Sequence, residues 1–288
     1  MQIYSTHSFP GPAWDELDAT VGPLSDAPGD VDVLIVANDA FELDRFPQLR
    51  LVANYGVGYD RIDVESCVRR GIAVTNTPGV LTDATADLTL ALILAVRRRL
   101  VEADRVVRRG GWTWTWSEGT LGEEVAGSTL GIVGLGRIGA AVARRAQGFG
   151  LHVVAVRSVD TDDALEALLR SADVVTLHVP LTERTRGLID ARRLALMRDG
   201  AALVNTARGE IVDEDALVRE LVSGRLQAGL DVFAHEPNVP QALLGLDNVV
   251  LTPHLGSATV RAREAMTRLV VDNVLAFARG EPLPTRVA

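Results

Sequence analysis

The sequence predicts an α/β protein built on doubly wound parallel sheets, and two observations carry that prediction. The first is the stretch from Thr129 to Gly150. An apolar run ending at Val133 is followed by Gly134-x-Gly136-x-x-Gly139, then by Ile138, Val142, Ala146 and Phe149 at roughly helical spacing. This reads as strand, tight turn and helix, and a second strand, Leu151 to Val156, follows at once. The second observation is the alternation of short apolar runs with helical patterns on both sides of that stretch. The Gly134–Gly139 order suits a dinucleotide pyrophosphate, whose charge rests on backbone N–H groups at a helix N-terminus where side chains would intrude. A Gly-rich turn in an ordinary β-α unit is the alternative, and the correctly placed flanking strand and helix weigh against it.

Before the glycine motif, strands are expected at Val31–Ala37, Leu51–Asn54 and Ile72–Thr75, after an opening stretch to Gly29 that is punctuated by Pro and Gly. Between them lies Asn54-Tyr55-Gly56-Val57-Gly58-Tyr59-Asp60. Its two glycines let backbone N–H groups approach a small anion such as a carboxylate, a plain turn being the other reading. A helix is expected from about Asp83 to Arg109, with apolar positions on more than one face, as in a helix buried between domains or subunits. Trp112, Trp114 and Trp116 follow in alternation and read as packing or interface residues. After the motif, strands at Val174–Val179, Leu203–Asn205 and Val249–Thr252 alternate with helical segments Leu188–Met197 and Asp213–Ser223. A long helix, Arg261–Arg279, ends at Gly280.

Composition removes several classes of function. The 288 residues are 47% hydrophobic, enough for two ordinary domains. A net charge of −9 with dispersed basic residues leaves no footprint for nucleic acid or an anionic membrane. All 29 basic residues are arginine, so Schiff-base chemistry and a Walker-type phosphate loop lack their lysine. The single cysteine, Cys67, excludes an intramolecular disulfide and fits a reducing cytoplasm, where it reads as a buried structural thiol. No signal peptide is expected from MQIYSTHSFP, and the longest uncharged apolar stretch, Leu88–Val96, falls far short of the roughly 20 residues of a membrane span.

Three residues stand just beyond expected strand ends, where ligands bind in open α/β sheets. They are Arg208 in Asn205-Thr-Ala-Arg-Gly209, Glu236 in Leu230-Asp-Val-Phe-Ala-His-Glu-Pro237, and His254 in Thr252-Pro-His-Leu-Gly256. Hydride transfer to a ketone needs these residue types. The developing alkoxide takes a proton, for which His is the side chain best poised near neutral pH. A neighbouring carboxylate favours the imidazolium, and a planar guanidinium can hold the carboxylate of a 2-oxo acid or its adjacent carbonyl. His235 is the competing acid, and the spacing of the histidines matches no metal-ligand pattern.

Asn54–Asp60, Gly71–Thr85, Gly131–Gly139, His178–Thr182, Asn205–Val212, Leu230–Pro237 and Asp247–Thr259, in this order, resemble the D-isomer-specific 2-hydroxyacid dehydrogenases over nearly the whole chain. The resemblance implies two Rossmann-like or flavodoxin-like domains: a dinucleotide-binding domain at 82–261, inserted into a substrate domain split between 1–81 and 262–288, with the active site in the cleft between them. It implies Arg208 for substrate binding and carbonyl polarisation, Glu236 for tuning the histidine, and His254 for acid–base catalysis. Cofactor contacts are implied at Gly134, Gly136, Arg137, Ile138, Gly139, His178, Pro180, Thr206, Ala207, Asp231 and Gly256, and substrate contacts at Tyr55, Gly56, Val57 and Gly58. Around Asp83–Asp87 and Pro253–Thr259 the chain is most similar to the glyoxylate, hydroxypyruvate and hydroxyphenylpyruvate reductase branch. Family members are usually dimers, with much of the interface in the region from Asp83 to Gly122. The family also contains dinucleotide-sensing co-repressors, so a binding protein with little turnover is the alternative function.

Two departures from the family pattern concern the cofactor. Where users of NAD carry an acidic residue to bind the ribose 2′-OH, this chain has Arg157 and Ser158. That pair suits a 2′-phosphate and favours NADPH, with NADH as the alternative and stacking of the guanidinium on adenine as the competing role. The segment after Ser158 is also shorter than is usual in the family, which is expected to open the adenine side.

Overall fold

The computed structural model describes residues 1–113, 121–157 and 160–288. The chain separates into two compact units, Met1–Leu81 with Ser257–Ala288, and Thr82–Gly256. The return falls at Gly256–Ser257, ahead of the expected boundary at 262, because Gly256 is held within the second unit by Thr85 and Asp231.

In the first unit β1 (Ile3–Ser5), β2 (Thr20–Val21), β3 (Val33–Val36), β4 (Leu51–Asn54) and β5 (Ala73–Thr75) pair in parallel, in the order β2-β1-β3-β4-β5. This is the flavodoxin-like order. The sequence reading placed no strand before Gly29. β1 and β2 escape it because three and two residues are too few to show a period, and both residues of β2 are exposed. Leu34, Val36, Val52, Val74, Phe46 and the wholly buried Cys67 share one core. α1 (Val64–Arg69) starts at the cap Asp63, and burial pushes the Cys67 thiol up from its ordinary value. The closing helix of the chain spans Val260–Arg279. The hydroxyl of Thr259 caps its start and Gly280, at φ 67°, ends it.

The second unit holds β6 (Thr129–Val133), β7 (His152–Val156), β8 (Val174–Leu177), β9 (Ala202–Asn205), β10 (Gln227–Leu230) and β11 (Val249–Leu251). All pair in parallel, in the order β11-β10-β9-β8-β6-β7. β8 and β9 are buried at every residue, as strands covered on both faces must be. Its helices are α2 (Thr82–Arg97), α3 (Leu100–Arg108), α4 (Arg137–Gly148), α5 (Asp162–Ser171), α6 (Ala191–Leu194) and α7 (Glu214–Val222); the helix at Val260–Arg279 is α8. One apolar layer packs Leu90, Ile93 and Val142 on the sheet, and the other packs Leu168, Leu169 and Leu217. The chain leaves β6 toward β7 and returns past it to β8, so the winding reverses between β6 and β8. β7 lies at the sheet edge.

Two expected helices differ. The helix expected from Asp83 to Arg109 breaks at Arg99, which adopts φ 52°, and resumes as α3 with no buried residue. The break follows from Arg97, whose guanidinium is buried and donates to Gly200 O while its own carbonyl accepts the Glu123 N–H. The segment Leu188–Met197 is helical only at α6, since the Ile189 N–H pairs with Ile211 O. Trp112 is 63% exposed, and Trp114 and Trp116 lie outside the described residues. Among the described residues no helix is long and apolar enough to cross a membrane.

Candidate active site

The glycine motif sits where the winding reverses, and each glycine is required differently. Gly134, at φ 100°, turns the chain beside β8: a Cβ there would lie 2.7 Å from the carbonyl carbon of His178. At Gly139 a Cβ would lie 2.1 Å from Gly134 O, so the glycine lets α4 pack on the turn. A Cβ on Gly136 meets nothing within 4 Å, so this position faces open space. Gly136 caps α4 without a side-chain hydrogen bond, and no acidic residue occupies the first turn. The N–H groups of Arg137, Ile138 and Gly139 at that terminus are the ones a helix leaves unpaired. The cradle fits a dinucleotide pyrophosphate.

Around this cradle, the His178 N–H donates to Val133 O, and its Nε2 lies 3.1 Å from Thr176 Oγ1. Burial pushes the His178 imidazolium down to about 4, so the ring is neutral near pH 7. Pro180 is exposed just beyond β8, and its carbonyl accepts the Thr185 hydroxyl. Arg157 is exposed just past β7, and its N–H donates to Asp160 Oδ2 at 2.6 Å. The acidic side chain that follows in sequence therefore folds back to the strand end. Ser158 lies outside the described residues.

Arg208, Glu236 and His254 follow β9, β10 and β11, and the fold ties their three loops together. His254 Nδ1 lies 2.8 Å from Glu236 Oε2, while Glu236 Oε1 accepts the Phe233 N–H at 3.1 Å. Burial works against ionisation of Glu236. The hydrogen bond from His254, its charge, the Phe233 N–H and the charge of Arg208 outweigh it and hold the carboxyl below its usual range. Arg208 thus belongs to the same electrostatic cluster. Its Nη1 donates to Ala207 O, and Asn205 braces the turn by donating to Arg208 O and accepting from the Ala207 N–H. A Cβ on Gly209 would lie 2.0 Å from the carbonyl carbon of Phe233, so the Arg208 turn rests directly on the Glu236 loop.

His254 itself adopts φ 54°, a left-handed conformation that costs about 1–2 kcal/mol for a residue with a side chain. Asp231 holds it there. The His254 N–H donates to Asp231 O, and the buried Asp231 carboxylate accepts from Thr252 Oγ1, Leu255 N and Gly256 N. Behind the loops, Thr85 donates to Gly256 O, and Thr89 Oγ1 lies 3.1 Å from Thr206 Oγ1. His235 is exposed, and its carbonyl accepts the Asn238 N–H; the imidazole paired with Glu236 is that of His254. Asn205, Thr85, Thr89 and Glu214, which accepts the Ala234 N–H, did not stand out in the sequence. Only their position beside a motif or at a helix start could have marked them.

In the first unit, the Asn54–Asp60 loop directs its carbonyls inward. Asn54 Nδ2 donates to Gly56 O and Gly58 O, and Asn76 Nδ2 donates to Val57 O. The Tyr55 and Gly56 N–H groups are taken by Val36 O and Asn54 O. Among the described residues, the Val57 and Gly58 N–H groups have no hydrogen-bond acceptor. The Tyr55 side chain is buried, stacked 3.9 Å from Phe9 with its hydroxyl donating to Arg263 O, so it supports the loop.

A glycine cradle at the winding reversal, with an imidazole–carboxylate pair and an arginine at the same carboxyl edge of the sheet, defines a nicotinamide-dinucleotide oxidoreductase. Residues 90–256 match the D-isomer specific 2-hydroxyacid dehydrogenase, NAD binding domain. The chain is 48% identical to a glyoxylate reductase of Pyrococcus horikoshii, over 94% of this chain and 83% of that one. It is 50% identical to the glyoxylate reductase of Korarchaeum cryptofilum, over 89% and 81%. Among solved structures, the NADPH-dependent glyoxylate/hydroxypyruvate reductase of Sinorhizobium meliloti, in complex with NADP and malonate, is similar at a TM-score of 0.90 and 36% identity, over 100% and 96%. The chain belongs to the D-isomer specific 2-hydroxyacid dehydrogenases and is an NAD(P)-dependent enzyme.

Proposed function

We propose that this dehydrogenase reduces small 2-oxo acids, glyoxylate and hydroxypyruvate foremost, to the corresponding 2-hydroxy acids with D stereochemistry where the product is chiral. The observation that carries the reading is the 2.8 Å contact between His254 Nδ1 and Glu236 Oε2, within the charge field of Arg208. With Nδ1–H given to Glu236, Nε2 is the atom that delivers a proton to a substrate oxygen. Held at Gly134, Gly136 and Gly139, a nicotinamide dinucleotide would supply hydride chemistry at the carbonyl carbon. His254 protonates the carbonyl oxygen as it becomes an alcohol, and the Glu236 carboxylate stabilises the imidazolium until then. Arg208 polarises the carbonyl and holds the substrate carboxylate. The curated relatives support this reading by their names as glyoxylate reductases.

For the cofactor, Gly134, Gly136 and Gly139 with the start of α4 are to hold the pyrophosphate. Arg157 is to favour NADPH over NADH, and Asp160, folded back beside it, narrows that margin. Two copies are to associate in the cytoplasm through the region 83–122, where Leu100, Val107 and Trp112 are exposed. The test is oxidation of NADPH and of NADH by the purified protein with glyoxylate, hydroxypyruvate and pyruvate. Turnover with the first two is expected. A flat trace with every 2-oxo acid would return the chain to a dinucleotide-sensing binding role.

A further inference from the structure

We propose that Glu214 is a positioning residue for the Glu236–His254 pair, an inference that rests on the acid–base reading above. Glu214 opens α7, and its Oε1 accepts the Ala234 N–H at 2.9 Å. The preceding amide, Phe233 N–H, is taken by Glu236 Oε1. Two consecutive peptide groups of one turn are thus claimed by two carboxylates, one from the turn itself and one from outside it. The same peptide is pressed by Gly209, where a Cβ would lie 2.2 Å from Ala234 N. The Phe233–Ala234 peptide is therefore fixed by packing on one side and by Glu214 through its N–H.

The location of Glu214 gives this tie its consequence. The cap residue Asp213, which accepts the Ala216 N–H, fixes the start of α7, and that helix follows directly on the Arg208 turn. Glu214 thereby couples the segment carrying Arg208 to the segment carrying Glu236, which in turn sets the imidazole of His254. An acidic residue in the first turn of a helix ordinarily serves the helix dipole. Here the carboxylate is spent on a loop amide two residues ahead of Glu236, which a helix-stabilising role does not require. Without it, the Phe233–Ala234 turn keeps its packing on Gly209 but loses the hydrogen bond that ties its Ala234 N–H to α7, and Oε2 of Glu236 is free to drift from Nδ1.

The test compares Glu214→Gln, Glu214→Leu and Glu236→Gln in this protein, by steady-state pH profiles with glyoxylate. Glu214→Gln keeps an acceptor oxygen at the same reach, and is expected to retain a kcat within a few-fold of wild type and an unmoved profile. Glu214→Leu is expected to lower kcat by about tenfold to a hundredfold, the scale of a small misplacement at a reacting centre, with a lesser effect on KM. Its alkaline limb is expected to move to lower pH, as in Glu236→Gln. If Glu214→Leu does not fold, Glu214→Asp, which withdraws the carboxylate by one methylene, is expected to shift the limb in the same direction. An alkaline limb that stays in place in these variants, or a Gln variant as impaired as the Leu variant, overturns the proposal. Failure of the underlying reading is separate: there Glu236→Gln itself would leave the profile in place.

Discussion

Asp231 and His254 are joined through the backbone: the His254 N–H donates to the Asp231 carbonyl at 2.9 Å, and the Asp231 carboxylate receives the N–H groups of Leu255 and Gly256. The residue just past β10 thus dictates the left-handed conformation of the imidazole-bearing loop. Because both carboxylate oxygens accept, an amide cannot replace it. Asp231→Asn turns an NH2 group toward either the Gly256 N–H or the Leu255 N–H. One unsatisfied buried donor costs about 1–3 kcal/mol. The variant is expected to melt at lower temperature and to lose kcat, as calorimetry and steady-state rates will read. Unchanged values for both would remove Asp231 from this role.

Arg208→Lys keeps the charge and loses the planar fork. KM for glyoxylate is expected to rise strongly with a smaller fall in kcat, while dinucleotide affinity, measured by calorimetric titration, stays near wild type. A KM unchanged for every accepted 2-oxo acid contradicts the assignment.

Arg208, Glu236 and His254 stood out because each lies in a motif of uncommon residue types, and the strands before Arg208 and His254 show visible apolar runs. Their supports did not. Glu214 reads as an ordinary acidic helix start, and Asn205 as the end of a strand; hydrogen bonding across loops leaves no periodicity. The break at Arg99 was invisible for a related reason. Neither Pro nor Gly marks it, and its cause, the burial of Arg97 against Gly200, is a contact across about a hundred residues of sequence. Of the two sheets, the one carrying the glycine motif was the plainer, since its strands are longer. β10 nevertheless passed unnoticed, its four residues including Gln227 and Gly229.

His178 carries a pH dependence of stability. Burial holds its imidazolium at about 4 in the folded chain, against 6.5 for the ordinary group. Between these values the unfolded chain binds a proton that the folded chain does not. Its contribution is therefore whole above 6.5 and declines as pH falls toward 4. The melting temperature is expected to fall through this window, and more gently in His178→Gln. Equal slopes in the two proteins count against the assignment. Glu16, Asp63 and Glu236, held below their usual carboxylate values, act at lower pH, and Asp231, pushed up by burial, acts with the opposite sign but equally in both proteins.

Arg157→Asp is expected to invert the preference for NADPH. A guanidinium on a 2′-phosphate makes charge-assisted bonds of about 1.5–3 kcal/mol each, a ceiling of roughly tenfold to a hundredfold. With the Asp160 carboxylate at the same strand end, wild type is expected to fall at the low end of that range. The ratio of kcat/KM for the two dinucleotides, in both proteins, measures it. A wild-type preference for NADH, or a ratio that does not move, would show that Arg157 does not read the 2′ position.

The account turns on a proton held by His254 and stabilised by Glu236, and the pH profile of Glu236→Gln tests it most directly. In the proposed function reduction requires protonated His254, and a carboxylate 2.8 Å away favours that form. Removing the charge while keeping the shape should leave dinucleotide affinity intact and shift the alkaline limb of kcat/KM for glyoxylate to lower pH. His254→Gln, run beside it, is expected to lower kcat by about 10² to 10⁴-fold and to abolish that limb. An alkaline limb that stays in place in Glu236→Gln, with the rate of His254→Gln near that of wild type, would contradict the account.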